Sequence, residues 1–465
     1  MLREQKKPDS TLTYLNGRHP VLQLYTLLST FLFLLCLPLI LAVSLLKKKY
    51  RGKNLQRLGL TLSRPLQTII KSPAKKDGPV IWIHALSVGE VTSALPLIRG
   101  LRRQYPDSTL FFSTTTRTGQ ATAKQLAKDL VDAIFFSPFD TFFSVRSFIH
   151  LLEPSLFILV ETDFWPCWLM QLKKNKIPCL LVNGRFSKKS ITNYQRFRFL
   201  FRPMFACFSL LSLQTKQDAK NLQCLGLPEE KIIPLGNLKF DATLASDAHY
   251  TKNNYANTIT RADFGLEKNR PLLICGSTHR GEEEIILGAW KTIKKNQPDL
   301  YLLLAPRNIE RTEEIAKIAK SYGLQTTRRS VRNAVSTDIL LLDSLGELAA
   351  CYGLADIALI GGSLVEAGGH NPLEAAIVGI PILFGPHMED FSEISRDLVA
   401  AGGALVVTDS DAITVGITEL LNAPDQAKKM GHAAKMLVQN NQGVVQSHLD
   451  IIDHLLNPHI IHEKG

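Results

Sequence analysis

Charged side chains stand where three apolar runs end in the first half of the sequence. Glu90 follows "VIWIHALSVG", Glu161 follows "LFILV", and Lys239 lies in "GNLKFD" after "IIPL". A carboxylate at the carboxyl end of a strand, shielded from water, can have a raised pKa and serve as a general base. A lysine there can stabilise negative charge that develops during a reaction. Each residue alone also fits a plainer role, an acid in the first turn of a helix or a solvated lysine.

A glycine-rich segment in the second half predicts a phosphate site. "ALIGGSLVEAGGHNPLEAAIVG" places four glycines between a strand and a helix: Gly361, Gly362, Gly368 and Gly369. Asn371 is a good N-cap, Pro372 suits the first helical position, and free N–H groups at such a helix start attract phosphate. Glu374 falls at the capping-box position, where it either bonds the cap or contacts a ribose hydroxyl. The GxGxxG and GxxxxGK[ST] motifs are absent, which disfavours dinucleotide and P-loop sites.

Two further segments carry polar groups after predicted strands. Arg307 in "APRNIER" has a planar, permanently charged group suited to a phosphate, although a surface salt bridge is the alternative. In "DSLGELAACYGLAD", Gly346 predicts a turn and Glu347 begins a helix. A first-turn glutamate more often interacts with the helix dipole than with a ligand.

These residues need strands and helices to position them. Short apolar runs alternate with amphipathic helical patterns, which predicts parallel sheets covered on both faces. This alternation of strands and helices stops at a polar stretch and then resumes. We therefore expect two doubly wound domains with ligands at the carboxyl ends of the strands. The predicted segments are an N-terminal tail (1–20), a membrane anchor (21–46), a first domain (47–245), a linker (246–268), a second domain (269–440) and a C-terminal helical tail (441–465).

The anchor is the segment Val21 to Leu46, 26 residues without a charge and long enough to cross a bilayer. The basic flank that follows predicts that the large C-terminal part is cytoplasmic. A helix lying in the membrane surface and a buried helix kinked at Pro38 are the alternatives. The net charge of +12 and the basic, aromatic stretch 184–202 suit anionic lipid better than nucleic acid, and a half-buried helix with a solvated face is the alternative for that stretch. Seven scattered cysteines without a CxxC pair indicate neither a disulfide framework nor a zinc site.

Eight motifs taken in order resemble those of the bacterial 3-deoxy-D-manno-octulosonic acid (Kdo) transferases that act on the lipid A precursor. The resemblance covers roughly residues 21–440, and the motifs are "HALSVGE", "TTTRTG", "ETDFWP", "NGRFS", "GNLKFD", "STHRGEE", "PRNIER" and "GGHNPLEAA". It implies an α/β protein of GT-B architecture, with two Rossmann-like domains and an N-terminal anchor helix. The N-terminal domain would bind the lipid acceptor and the C-terminal domain CMP-Kdo, the donor substrate.

The resemblance also implies a reaction and residue roles. Kdo would move from CMP to a sugar hydroxyl of lipid IVA with inversion, without a metal or cofactor, at the cytoplasmic face of the inner membrane. Glu90 would be the general base, with Glu161 and Lys239 assisting the transition state. The residues implied to hold CMP are Pro306, Arg307, Leu345, Gly346, Glu347, Asn371, Pro372, Leu373 and Glu374.

The sequence departs from the family pattern in places. Asn308 and Ile309 stand where His-Pro often follows the arginine, and Gly184 stands where alanine is usual. Other GT-B nucleotide-sugar transferases and 2-epimerases share the architecture and remain an alternative, as does a non-catalytic, membrane-anchored protein that binds anionic lipid. The latter alternative predicts that substitution of Glu90 leaves function intact.

Overall fold

The computed structural model describes residues 19–46, 53–59, 66, 77–242, 259–267, 270–331, 337 and 339–457. The chain divides into two compact units, one made of residues 1–242 and 443–465 and the other of residues 243–442. The residues before position 19, most of the basic flank and most of the predicted linker lie outside the described residues.

The first unit contains a parallel sheet of seven strands in the order β3-β2-β1-β4-β5-β6-β7. Its strands read as apolar runs in the sequence because helices cover both faces and most strand side chains are buried. All seven were predicted. They are β1 (Val80–Ala85), β2 (Thr109–Thr114), β3 (Ala133–Phe136), β4 (Leu156–Val160), β5 (Cys179–Gly184), β6 (Leu210–Leu213) and β7 (Ile232–Pro234).

Helices connect these strands and form two hydrophobic layers, one on each face of the sheet. They are α1 (Pro20–Leu46), α2 (Lys53–Arg57), α3 (Val88–Gln104), α4 (Arg117–Leu126), α5 (Phe142–Leu152), α6 (Pro166–Lys174), α7 (Lys188–Arg196), α8 (Arg198–Phe205) and α9 (Lys216–Gln223). The 3₁₀ turn Leu238–Asp241 follows β7.

The last helix of the chain belongs to this first unit. The carboxylate of Asp241 accepts hydrogen bonds from the N–H groups of Gly443 and Val445, at distances of 2.9 and 2.6 Å. At the far end of that helix, the Tyr105 hydroxyl donates to Asp453 at 2.9 Å. An ionised side chain at the helix start satisfies otherwise unpaired N–H groups, so Asp241 fixes where this helix begins.

The second unit contains another parallel seven-stranded sheet, in the order β10-β11-β9-β8-β12-β13-β14. The sequence predicted six of these strands and missed the edge strand Thr326–Arg328, whose three residues are half-buried and show no apolar run. The strands are β8 (Leu272–Thr278), β9 (Tyr301–Pro306), β10 (Thr326–Arg328), β11 (Ile339–Leu341), β12 (Ile357–Ile360), β13 (Ile382–Phe384) and β14 (Ala404–Val406).

The helices that follow these strands complete the numbering. They are α10 (Glu282–Asn296), α11 (Thr312–Ser321), α12 (Leu348–Tyr352), α13 (Leu373–Val378), α14 (Ser392–Ala400), α15 (Ser410–Asn422), α16 (Pro424–Asn440) and, in the first unit, α17 (Val444–Leu456). The buried core of the second unit includes Trp290 on α10 and the central strand β8.

Helix α1 is long and apolar enough to cross a membrane over Pro20–Leu39. Leu22, Thr26 and Thr30, spaced one helical turn apart, are buried against the first unit. Eight large apolar side chains between positions 24 and 39 are exposed, which argues against the alternative of a buried core helix. The exposed side chains are Leu24, Leu27, Leu28, Phe31, Leu32, Leu34, Leu35 and Leu39.

Candidate active site

Glu90 lies in the first turn of α3, shortly after β1 ends, as the sequence predicts. It is the third residue of the helix, and its side chain is only 5% exposed. Ser87, the N-cap residue, makes no side-chain capping bond, and the backbone N–H of Leu86 donates to the Glu90 carboxylate instead. The carboxylate is therefore folded back over the carboxyl end of the strand.

The environment of Glu90 suits a general base. Burial raises its pKa to about 8, with smaller contributions from the negative charges of Glu161 and Asp163, although the N–H groups of Leu86 and Ser87 act in the opposite direction. A catalytic base is most effective when its pKa lies near the working pH. The side chain can therefore accept a proton and still be ionised in an appreciable fraction near neutral pH.

Glu161 follows β4 in a strained conformation. Its φ angle is +64°, in the left-handed region that non-glycine residues seldom adopt. Its N–H donates to the carbonyl of Val182 at 2.9 Å, and its carboxylate accepts from the Asn183 amide at 3.2 Å. Such strain persists only where neighbouring interactions hold it, and it is common at functional sites.

Asn183 links Glu161 to the segment that carries Lys239. Its side-chain oxygen accepts from the N–H of Leu238 at 3.1 Å, while its amide nitrogen donates to Glu161. The neighbouring N–H of Lys239 donates to Asn237 at 3.0 Å. Asn183 is fully buried with a φ angle of +59°. The side-chain amide of Asn183 thus positions Glu161 directly and Lys239 through the backbone of its neighbour Leu238. The sequence alone assigned no role to Asn183, although it lies in the "NGRFS" motif.

We expect Asn183→Ala to lower the free energy of unfolding by about 1–3 kcal/mol, because the buried N–H of Leu238 loses its acceptor. Transfer activity should fall as well, because Glu161 and Lys239 lose a shared support. Thermal denaturation and steady-state assays measure the two effects. Asn221→Ala on helix α9 is the control, since the Asn221 side chain accepts a hydrogen bond from the exposed Gln217 side chain. Unchanged activity in a destabilised Asn183→Ala protein would contradict the positioning role.

His84 and Asp163 form a second buried group in the first unit; Asp163 is a candidate acid from the sequence, which assigned no role to His84. The two side chains lie 2.8 Å apart, and His84 also contacts the Ser113 hydroxyl at 2.9 Å. Thr115 donates to Asp163 at 3.1 Å. Burial would raise the pKa of Asp163, but hydrogen bonds from His84, Trp165 and Thr115 lower it below its ordinary value. Asp163 is therefore held as an anion, and this charge favours the neutral form of Glu90.

In the second unit, the charge of Arg307 acts on the carboxyl group of Glu374. Arg307 follows β9, and its N–H donates to the carbonyl of Thr278 at 3.0 Å. Burial raises the pKa of Glu374, which Asn371 and Arg307 act to lower. Burial, together with smaller contributions from the charges of Arg307 and His279, lowers the pKa of His370 to about 4. The predicted donor residues Arg307, Asn371 and Glu374 are thus neighbours.

The His279 and His370 rings are stacked in this group, with Nε2 atoms 2.8 Å apart. One ring must donate a proton and the other accept it, so the pair cannot be doubly protonated without losing this contact. A Cβ atom on Gly362 would approach His370 to 3.1 Å, in a backbone with a φ angle of +68°. His279 lies in the "STHRGEE" motif, but the sequence alone assigned no role to this residue.

Part of the glycine-rich segment is bonded within the protein, and the phosphate site there stays a prediction. The carboxylate of Glu282 already accepts hydrogen bonds from the N–H groups of Gly362, Ser363 and Leu364, at 2.6, 3.0 and 2.9 Å. The helix begins at Leu373, close to the predicted start, and the Leu373 N–H donates to the Asn371 side chain at 3.1 Å, as expected of a capping residue. The N–H groups of Gly362, Ser363, Leu364 and Leu373 are therefore already bonded within the protein.

The segment Leu345 to Glu347 forms an exposed turn before α12. Leu345 is 78% exposed, and Gly346 has a φ angle of +86° in the predicted turn. Glu347 pairs with Arg329 at 3.3 Å, and no hydrogen bond or ion pair joins it to Arg307 or Glu374 among the described residues. Its place in a donor site stays a prediction.

Comparison with known proteins identifies the family. Residues 55–242 match the model of the 3-deoxy-D-manno-octulosonic-acid transferases. The chain is 36% identical over 430 residues to a 3-deoxy-D-manno-octulosonic acid transferase of Haemophilus influenzae, covering 91% of this chain and 97% of that protein. The chain belongs to the Kdo transferase family. A Kdo transferase of Aquifex aeolicus is 30% identical over 77% of this chain and 90% of its own length.

The second unit and the fold agree with this assignment. Residues 261–436 of this Kdo transferase match the model of glycosyl transferases group 1. A UDP-GlcNAc 2-epimerase of Neisseria meningitidis has the same fold, with a TM-score of 0.56, 17% identity, and coverage of 81% of this chain and 99% of that chain. That similarity shows the fold alone. The predictions of a Kdo transferase and of a GT-B architecture are confirmed.

Proposed function

We propose that this Kdo transferase moves Kdo from CMP-Kdo to a hydroxyl of the lipid A precursor, lipid IVA, with inversion and without a metal ion. The observation that carries the proposal is the buried Glu90, whose pKa is raised to about 8. Ionised Glu90 takes the proton of the acceptor hydroxyl, and the oxygen bonds to the anomeric carbon of Kdo. The bond from that carbon to the CMP phosphate breaks, and CMP leaves with the electron pair.

The other residues support the same step. Glu161 and Lys239, tied together through Asn183, assist the transition state, with the Lys239 ammonium stabilising the negative charge that develops. Arg307, Asn371 and Glu374 hold the donor together with Pro306, Pro372 and Leu373, and 345–347 complete the CMP site. Family membership supports this transferase over the non-catalytic alternative, because the relatives are enzymes by name.

Helix α1 accounts for access to a lipid. Its exposed apolar surface fits the hydrocarbon of the inner membrane, as a single span or as a helix lying in the bilayer. The basic, aromatic helices α7 and α8 expose Phe197 and Phe199, which suits the interface of an anionic leaflet. The acceptor and the enzyme are then held at one surface, and the catalytic units face the cytoplasm.

The test is incubation of purified full-length protein in detergent with CMP-Kdo and lipid IVA, followed by mass spectrometry of the lipid. We expect a mass gain in whole Kdo units that survives EDTA, and the number of units gives the number of transfers. Loss of activity in EDTA that returns with a divalent cation would refute metal independence. Absence of any gain from folded protein would refute the donor and acceptor assignment, and UDP-sugars would be tried next.

A further inference from the structure

Arg57 lies at the carboxyl end of the first sheet although it comes from the short helix α2 that follows the anchor. Its Nε donates to the carbonyl of Ser137, just after β3, at 2.9 Å. The N–H of Phe139 donates back to the carbonyl of Arg57 at 3.1 Å, and the guanidinium carbon lies 4.3 Å from the centre of the Phe139 ring. The guanidinium is therefore fixed in place on the loop 137–142.

The terminal amino groups of this guanidinium have no hydrogen-bond or ion-pair partner among the described residues. Burial lowers the pKa of Arg57, and the charge of Asp163 partly offsets this effect. An arginine remains charged under all physiological conditions. A fixed cation that has lost part of its hydration and has no direct counter-ion gains from binding an anion, and its fork-shaped donors match the oxygens of a phosphate.

The loop that holds Arg57 also reaches the groups around Glu90. The hydroxyl of Ser137 lies 3.1 Å from that of Thr115, which donates to Asp163 at 3.1 Å. Asp163 is itself bonded to His84, and its charge acts on both Glu90 and Arg57. Arg57 thus belongs to the same edge of the sheet as the candidate base, and it serves the acceptor side of the reaction.

The same loop is bonded to the anchor helix. The Tyr25 hydroxyl donates to Asp140 at 3.1 Å, and the N–H of Phe142 donates to Thr30 at 3.1 Å. The ring of Phe33 lies 5.0 Å from that of Phe139. Because α1 carries the exposed apolar surface, this loop holds Arg57 next to the part of the protein that meets lipid. Anions at a bilayer surface are mainly lipid phosphates.

From this geometry we propose that Arg57 binds a phosphate group on the headgroup of the lipid acceptor. The proposal rests on the proposed function, since it assigns a subsite for the acceptor of that reaction. A carboxylate on the donor sugar is the other oxyanion that the same guanidinium would fit. The experiment below therefore varies both substrates.

The test compares Arg57→Gln and Arg57→Lys with the unsubstituted protein on lipid IVA and on its two monophosphoryl forms. We expect Arg57→Gln to raise the KM for lipid IVA about 10-fold or more, as for the loss of a charged hydrogen bond, and Arg57→Lys to raise it less. On the monophosphoryl acceptor that lacks the bound phosphate, Arg57→Gln and the unsubstituted protein should agree within about twofold, a margin below one lost hydrogen bond. The KM for CMP-Kdo should stay unchanged.

Arg103→Gln is the matched control. Arg103 is an exposed arginine near the far end of α3, and its replacement by glutamine removes the same charge. Thermal denaturation shows whether each variant is folded, and Arg57→Lys preserves the charge if Arg57→Gln does not fold. Equal losses on all three acceptors, or a raised KM for CMP-Kdo instead, would overturn the acceptor assignment. Failure of the unsubstituted protein to transfer Kdo would instead refute the proposed function.

Discussion

Replacement of Glu90 by glutamine is expected to lower the rate of Kdo transfer by about 10²–10⁴-fold, the usual contribution of a positioned general base. Glutamine keeps the size of the side chain, and its amide oxygen can still accept the Leu86 N–H, but it cannot take a proton. Substrate KM values should change little. Single-turnover assays with mass detection measure the loss, and Glu419→Gln, an exposed glutamate on α15, is the control.

The pH profile of the unsubstituted protein tests the same assignment. The pKa of Glu90 is about 8, so kcat/KM should rise about tenfold per pH unit below pH 8 and level off above it. In Glu90→Gln the remaining activity should lose this slope. A profile that levels off near pH 5, where ordinary glutamates titrate, would contradict a buried base at Glu90.

Stability should change with pH in a related way. The pKa of Glu90 is higher in the folded protein than in the unfolded chain, so the folded state binds more protons between the two values. The contribution of Glu90 to stability is therefore present at low pH and declines as pH rises to about 8. Glu90→Gln should remove this decline and be more stable than the unsubstituted protein above pH 8. Equal melting temperatures at pH 9 would contradict the burial argument.

Replacement of Arg307 by glutamine is expected to raise the KM for CMP-Kdo by about 10- to 100-fold, the range for loss of a charge-assisted contact to phosphate. The kcat at saturating donor should fall much less, because Arg307 holds the ground state as well as the transition state. Arg307→Lys should be intermediate, since lysine keeps the charge but loses the planar fork. Arg396→Gln, an exposed arginine on α14, is the control.

A second measurement tests the placement of Arg307 without turnover. Arg307 contributes to lowering the pKa of His370, so Arg307→Gln should raise that pKa from about 4 toward the ordinary histidine range. NMR titration of the imidazole resonances measures the shift. An unchanged KM for CMP-Kdo together with an unchanged His370 titration would refute the assignment of Arg307 to the donor site.

The sequence by itself determined the layered fold. Strands buried on both faces must be apolar throughout, so runs such as "TLFFST" and "LFILV" predict β2 and β4 without knowledge of their neighbours. The position of Glu90 follows from the same local signals, because a strand ends and a helical period begins within five residues. The apolar length of α1 is likewise a property of the chain alone. The edge strand β10 carries no such signal and was missed.

Only the tertiary structure decided which polar groups meet. His84 and Asp163 are 79 residues apart, and Asn183 bonds residues 22 positions before and 55 positions after it. Asp241 bonds the N–H of Gly443, 202 residues later, at the start of α17. Glu282 bonds the N–H of Gly362, 80 residues along the chain, in the predicted glycine-rich segment. Hydrophobic periodicity reports which side of a segment is buried. Hydrogen bonds between strand ends depend on the order of strands in the sheet, which the chain fixes only when it folds.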